Sequence, residues 1–290
     1  VKDLKDKVIF LTGAGSGIGR ATAIEFARAG TSSLILNDIN MNGLKETASI
    51  IEGLGRKSFV LPADVSDYNA VREMVRTAFD SLGRIDILVN VAGTAMPAPL
   101  EEMGIEDWRK VIGVNLYGAL NTVQCVYSHM LERGSGHIVN IASIGGLFAL
   151  HPYNAAYYVS KFGVVGFSEA LMLESSMRGI HVTCVCPGGV KTSIYDTSTF
   201  KGLSEGARQQ MKKLLLASAE EPEDTARAIV DAVKKNKFLI TTTKTAKLAY
   251  FLRRHFSFLW FFLMKKLADW FVKNFDKYKT QGRSGLPKER

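Results

Sequence analysis

The sequence predicts an α/β domain built on a doubly wound parallel sheet, with a helical extension at its C-terminal end. Three observations predict it. Short apolar runs alternate with helical patterns at spacings of about 25 residues, the layout of strands and crossover helices in a parallel sheet. The first run, Val8-Ile9-Phe10-Leu11, opens directly into Thr12-Gly13-Ala14-Gly15-Ser16-Gly17-Ile18-Gly19 and then a helical pattern from Arg20 to Ala29. Finally, charge is unevenly divided. Residues 241–290 hold 12 of the 37 Lys and Arg but only 3 of the 28 Asp and Glu, so residues 1–240 carry 25 of each sign. The net charge of +9 is thus a property of the extension, which argues against a nucleic-acid surface on the main domain.

Taken in order, the first strand, glycine turn and helix start place backbone N–H groups and the positive end of a helix dipole where a pyrophosphate can lie. That context makes the domain Rossmann-type. The strand Leu34-Ile35-Leu36 ends at Asn37-Asp38, where an acid can accept hydrogen bonds from adenosine ribose hydroxyls and would repel a 2′-phosphate. A helix from about Met41 to Leu54 leads to a strand from Lys57 to Leu61 and to Asp64-Val65 beyond it, and Asp67 caps the next helix. The strand Asp86 to Val89 runs into Asn90-Val91-Ala92-Gly93, whose small residues let a ligand approach the backbone.

A long helical pattern from about Glu106 to Glu132 contains Asn115 among apolar neighbours, which favours burial with a specific partner. His137 to Ile141 is the next strand, with Ser143 just past its carboxyl end, the edge at which open parallel sheets bind ligands. In Tyr157-Tyr158-Val159-Ser160-Lys161 the phenol and ammonium stand four apart on one helical face. A neighbouring cation favours the phenolate, lowering its pKa from about 10 and making Tyr157 a usable acid or base. Ile180 to Cys186 is a further strand ending in Pro187-Gly188-Gly189-Val190-Lys191-Thr192. Residues 193–219 lose periodicity and read as a substrate loop or lid. Glu221-Pro222 opens a helix, and Phe238 to Ile240 closes the sheet.

These motifs, in this order over about residues 5–240, resemble the single-domain short-chain dehydrogenase/reductase superfamily. The resemblance implies that Tyr157 is the general acid/base, that Lys161 lowers its pKa and binds the nicotinamide ribose, and that Ser143 holds the substrate oxygen. It implies that Asn115 holds a water relaying protons to Lys161. Gly13, Ser16, Gly17, Ile18 and Gly19 would carry the pyrophosphate turn, Asp64 and Val65 would flank the adenine, and Asn90, Ala92 and Gly93 would support the adenosine half. Beyond Pro187 and Gly188, Val190 and Thr192 would hold the carboxamide. Val91 stands where the family's pattern has a second Asn, and Ser143 and Tyr157 are 14 residues apart, near the long end of the family spacing. With Asp38 acidic, and Ser16 and Ile39 where NADP-preferring relatives often carry a base, NAD is the expected cofactor over NADP. Relatives commonly form homodimers or homotetramers. No clustered His, Cys, Asp and Glu set offers a metal site.

Three cysteines without Cys-x-x-Cys spacing, Cys125, Cys184 and Cys186, and a polar start at Val1 without a secretory pattern, point to reduced thiols and a cytoplasmic location. The domain boundary is expected at 240, with 241–290 as a basic amphipathic extension. Its run from Phe256 to Met264 is too short for a spanning helix, which needs about 20 residues. Apolar residues at 248, 252, 256, 259, 263, 267 and 270 form one helical face, with Arg253, Arg254, Lys265 and Lys266 at its margins. Such a helix over 245–275 suits either a bilayer surface, giving a peripheral membrane position, or packing on protein. Lys279 to Arg290 read as disordered. The expected activity is interconversion of a lipophilic secondary alcohol and its ketone, with Phe148, Leu150, Tyr153 and Tyr195 as pocket residues. A 3-oxoacyl thioester reductase using NADPH and a non-catalytic, NAD-sensing membrane-associated protein are the alternatives.

Overall fold

Seven short, apolar strands set the architecture of this computed structural model, which describes residues 3–202, 204–216 and 219–275. In chain order, β1 (Val8–Thr12), α1 (Gly17–Arg28), β2 (Ser33–Asn37), α2 (Met41–Gly53), β3 (Lys57–Val60) and α3 (Tyr68–Leu82) make the first half. The second half has β4 (Ile87–Asn90), α4 (Ile105–Ile112), α5 (Gly118–Arg133), β5 (Gly136–Ile141), α6 (Ala155–Ser175) and β6 (Ile180–Cys186). The chain continues through α7 (Ile194–Thr197), α8 (Glu205–Leu216), α9 (Pro222–Lys234), β7 (Leu239–Thr241), α10 (Lys244–His255) and α11 (Ser257–Phe275). The strand order is β3-β2-β1-β4-β5-β6-β7, every pairing parallel. The order reverses between β1 and β4, opening a crevice at the carboxyl ends of these two strands.

Alternation along β1 divides the core. Ile9 and Leu11 pack with Phe26 of α1, Leu44 of α2 and Ile229 of α9, while Val8 and Phe10 pack with Val75 of α3, Val126 of α5 and Leu171 of α6. Both faces of the sheet are therefore covered, which is why its strands read as unbroken apolar runs rather than alternating ones. Local chemistry sets the element ends. The Asp67 carboxylate accepts from the N–H groups of Asn69 and Ala70 to start α3, and Gly83, at φ 69°, stops it.

Two predicted elements differ. The long helix over 106–132 is interrupted at Gly113–Tyr117 by a π-helical turn that lies between α4 and α5 and carries Asn115. The predicted loop over 193–219 instead contains α7 and α8. α8 carries one fully buried apolar residue among its described side chains, Met211, and the surrounding Lys, Gln and Arg give little helical periodicity. Cys184 and Cys186 are buried and Cys125 half-buried, all three as free thiols.

The extension is two helices, not one: α10 ends at His255, Phe256 leaves the helical region, and α11 begins at Ser257. Trp260 and Phe271 of α11 are buried, and Trp260 meets Phe148 edge-on at 4.6 Å between ring centroids. Burying each of these rings contributes roughly 2–3 kcal/mol. No described helix is long and apolar enough to cross a membrane. The predicted disorder of residues 279–290 lies outside the described residues.

Candidate active site

A cavity of about 1340 Å³ runs along the carboxyl edge of the sheet, from the glycine turn after β1 to the C-terminal helices. Its size exceeds the roughly 300–1,000 Å³ of a single small-molecule pocket, leaving room for an extended ligand and a second molecule beside it.

One end is built by the turn. A Cβ on Gly19 would stand 1.8 Å from the Gly13 carbonyl oxygen, so only glycine lets α1 start this close to β1. Gly13, at φ 66°, faces the backbone of Ala92 at 2.8 Å from the same kind of hypothetical Cβ. Thr12 Oγ accepts from the N–H groups of Val91 and Ala92 at 3.1 and 3.2 Å, locking the β1 and β4 ends together. Ser16 precedes α1 without using its side chain as a cap, so the first N–H groups of this 12-residue helix are left for a ligand at the cavity edge. Gly17, Ile18, Asp64, Val65, Ala92 and Gly93 line the same end. Asp38 is held rigidly there: one carboxylate oxygen accepts from Gly15 N and the other from Asn40 N, each at 2.9 Å. Arg20, the base nearest the turn in sequence, is directed to Gly15 O, Thr47 and Glu46. Shape, donors and carboxylate all fit a dinucleotide.

The middle holds the predicted chemical residues. Ser143 follows β5, its hydroxyl accepts from Gly145 N at 3.0 Å, and it lines the same cavity wall as the Tyr157 phenol. Lys161 is buried on the same helix as Tyr157, with Nζ 5.7 Å from the tyrosine ring centroid and donating to Ile141 O at 2.8 Å. Pro187, Gly188, Val190 and Thr192 line the wall beyond β6.

The electrostatics correct one expectation. Burial pushes the Tyr157 phenol above its ordinary value, and the opposing pull comes from the nearby Ser143 hydroxyl rather than from Lys161. The Lys161 ammonium is itself pushed down to about 8 by burial. A spacing of four residues brings the two side chains to one face, but it does not report the desolvation that both suffer.

Asn115 and Asn90 are placed behind the cavity wall. The Asn115 amide donates to Thr94 O and Ser160 Oγ, each at 2.9 Å, and its oxygen accepts from Thr94 N at 2.7 Å. Both of its N–H groups are thus committed to protein, and it ties α6, the helix that carries Tyr157 and Lys161, to the segment after β4. Asn90 donates to Asn140 Oδ1 at 2.9 Å and accepts from Thr122 at 2.6 Å, while Asn140 continues to Ser168 at 3.0 Å. This buried ladder joins β4 and β5 to α5 and α6.

At the far end the walls come from segments that no sequence motif marked. Tyr158 Oη accepts from Leu150 N and His151 N at 3.3 and 3.1 Å and donates to His151 O at 3.2 Å, clamping the loop before α6. Burial, partly offset by those backbone bonds, pushes its phenol up to about 12, so it serves as a structural donor. Burial likewise lowers the His151 pKa, and its ring stacks on Phe271 at 5.4 Å. Leu267, Trp270 and Phe271 of α11, with Ala246 and Ala249 of α10, complete an apolar wall. Asn154, 5% exposed, presents an Oδ1 without a hydrogen-bond partner among the described residues. Of the predicted pocket residues, Leu150 lines the cavity, Phe148 lies behind it against Trp260, Tyr153 borders Phe271, and the Tyr195 side chain lies outside the described residues.

Comparison with known proteins places this geometry. The family model for short chain dehydrogenases matches residues 7–201. The 3-oxoacyl-(acyl-carrier-protein) reductase FabG of Thermotoga maritima is 36% identical over 228 residues, 78% of this chain and 90% of that protein. The 17-beta-hydroxysteroid dehydrogenase 13 of Mus musculus is 35% identical over 246 residues, 82% of this chain and 74% of that protein. Among solved structures, a short chain dehydrogenase/reductase from Burkholderia phymatum in complex with NAD has a TM-score of 0.81 at 27% identity, covering 89% of this chain and 96% of its own.

Proposed function

The chain belongs to the short-chain dehydrogenase family of oxidoreductases, and on that premise we propose that it interconverts a lipophilic secondary alcohol and its ketone with NAD, Tyr157 managing the proton. The observation that carries this reading is the grouping of Ser143, Tyr157 and Lys161 on one cavity wall, between a dinucleotide-shaped turn and an apolar wall. A nicotinamide bound there supplies the hydride chemistry. Ser143 orients the substrate oxygen, and Tyr157 gives a proton to it in reduction or takes one from it in oxidation. Lys161, once near a ribose and a forming phenolate, regains the stabilisation that burial removes. Asn115, by fixing Ser160 and Thr94, keeps α6 in register with the β4 end.

The preference for NAD rests on Asp38, whose two oxygens are fixed at the turn. Leu150, Leu267, Trp270 and Phe271 support a lipophilic substrate. Exposed Tyr117, Val159, Phe162 and Leu173, on and beside α5 and α6, support a homodimer or homotetramer. A second reading, a 3-oxoacyl thioester reductase, draws on the similarity to the Thermotoga maritima reductase and requires NADPH use.

The test is NAD reduction over secondary alcohols of graded chain length, parent against Tyr157→Phe. Turnover should rise with chain length and fall roughly 10²–10⁴-fold in the variant, with dinucleotide binding by calorimetry unchanged. A parent silent across the whole panel, or a variant as active as the parent, would sink the reading.

A further inference from the structure

The extension docks one face on the domain and leaves the rest apolar as well. Phe258 is 90% exposed and Phe261 60%, with Phe262 beside them at 51%. A helix segment apolar on all sides needs a second apolar contact besides its own core. Bases accompany these rings: the Arg253 guanidinium lies 4.7 Å from the Phe261 ring centroid, and Lys266 Nζ lies 4.5 Å from that of Phe262. Residues 244–275 hold seven Lys or Arg and one acid, Asp269. Such a face repels a second copy of itself and is complementary to an anionic surface that has an apolar layer beneath it.

A stripe connects this face to the active site. Leu259, Leu263, Leu267 and Trp270 stand at helical spacing along one edge of α11, all between 40% and 49% exposed. The last two also line the catalytic cavity. The edge that leads to the exposed aromatic tip is therefore also part of the cavity wall.

We propose that α10 and α11 lie on an anionic lipid bilayer, with Phe258, Phe261 and Phe262 in its interface, and that the Leu259–Trp270 edge is the path by which a lipid-dissolved substrate enters the cavity. The second part rests on the proposed dehydrogenase reading; the first does not. The helix pair would lie in the headgroup layer rather than span it, with Lys265 and Lys266 at phosphate level.

The experiment compares the full chain with a Phe258→Ser, Phe261→Ser, Phe262→Ser triple variant. All three positions are exposed and none lines the cavity, so folding and turnover of a water-soluble secondary alcohol should be unchanged. Co-sedimentation uses vesicles of phosphatidylcholine alone and with 30% phosphatidylglycerol, a proportion of about one anionic lipid in three chosen to set a strong surface potential. The parent should bind the anionic vesicles, release as salt rises, and bind neutral ones weakly; the variant should bind roughly tenfold less. Oxidation of a long-chain secondary alcohol held in those vesicles should fall in parallel in the variant, while oxidation of the soluble alcohol does not. Parent protein left in the supernatant, or variant binding equal to the parent, overturns the docking. So does light scattering that shows a dimer dispersed by the triple substitution without any vesicle binding. Vesicle binding lost with vesicle-alcohol oxidation intact overturns the entry path. An enzyme silent on both alcohols that still binds vesicles separates failure of the dehydrogenase reading from failure of the docking.

Discussion

Lys161→Met should make the cofactor-free protein more stable while disabling it. Burial lowers the Lys161 pKa from 10.5 to about 8. At roughly 1.4 kcal/mol per pH unit, holding this ammonium charged at pH 7 costs about 3 kcal/mol. The substitution also removes the donor to Ile141 O, 2.8 Å away, which gives back about 1 kcal/mol. A net gain of about 2 kcal/mol corresponds to a melting temperature roughly 3 °C higher. The pH dependence has a definite sign. Below pH 8 both folded and unfolded chains keep the proton and the penalty is full. Between 8 and 10.5 the folded chain sheds it while the unfolded chain retains it, so the parent gains stability on the variant through that window. The assay is thermal and urea unfolding of both proteins from pH 7 to 10, with and without NAD. A variant less stable than the parent at pH 7, or a difference that does not shrink above pH 8, refutes the reasoning. Added NAD should stabilise the parent much more than the variant.

Asp38→Ala should lower the NAD-to-NADP ratio of kcat/KM by roughly tenfold or more, since it removes the charge that repels a 2′-phosphate; a parent that already favours NADP contradicts the assignment. The same change strands Gly15 N and Asn40 N, costing about 1–2 kcal/mol in urea unfolding. Asn154→Leu removes a buried oxygen without a protein partner together with an amide that acts on the Tyr158 phenol, so stability should change by no more than about 1 kcal/mol while KM rises for alcohols bearing a second hydroxyl. Lower stability with KM unchanged for every substrate would show that the oxygen serves the fold instead.

Most of the sheet and one end of the site were legible because they depend on local chemistry. Buried strands must be apolar, a tight strand-to-helix approach demands Gly19, and a helix start wants Asp67 or Pro222; each leaves a mark at one position. What stayed hidden depends on three-dimensional surroundings. The π-helical turn at Asn115 is a change of hydrogen-bond partner rather than of composition. Asn90 stands within a motif associated with the ligand, yet its amide serves Asn140 and Thr122. His151 and Asn154 occupy the cavity wall only because Tyr158 clamps their loop. The direction of the Tyr157 shift in the cofactor-free protein is not legible in sequence, because the Tyr-x-x-x-Lys spacing gives adjacency, whereas the balance between charge and burial belongs to the folded environment.

The extension shows how a choice framed in sequence can dissolve in structure. Bilayer contact and packing on protein looked like rival uses of one apolar face, at 248, 252, 256, 259, 263, 267 and 270. In the fold the docked stripe runs instead through Trp260, Met264 and Phe271, and most of the predicted face is left exposed beside it. α11 therefore has apolar surface enough for both contacts. Removing residues 245–290 would consequently not isolate the outer one. It would uncover Ile144 and Phe148, strip Leu267, Trp270 and Phe271 from the cavity, and forfeit several kcal/mol of ring burial, roughly 2–3 for each of Trp260 and Phe271. A truncated chain that failed to bind vesicles and failed to turn over a lipid alcohol would be explained equally by a collapsed pocket. Only substitutions confined to Phe258, Phe261 and Phe262, whose side chains leave the docked stripe intact, separate what the outer face does from what the inner face holds in place.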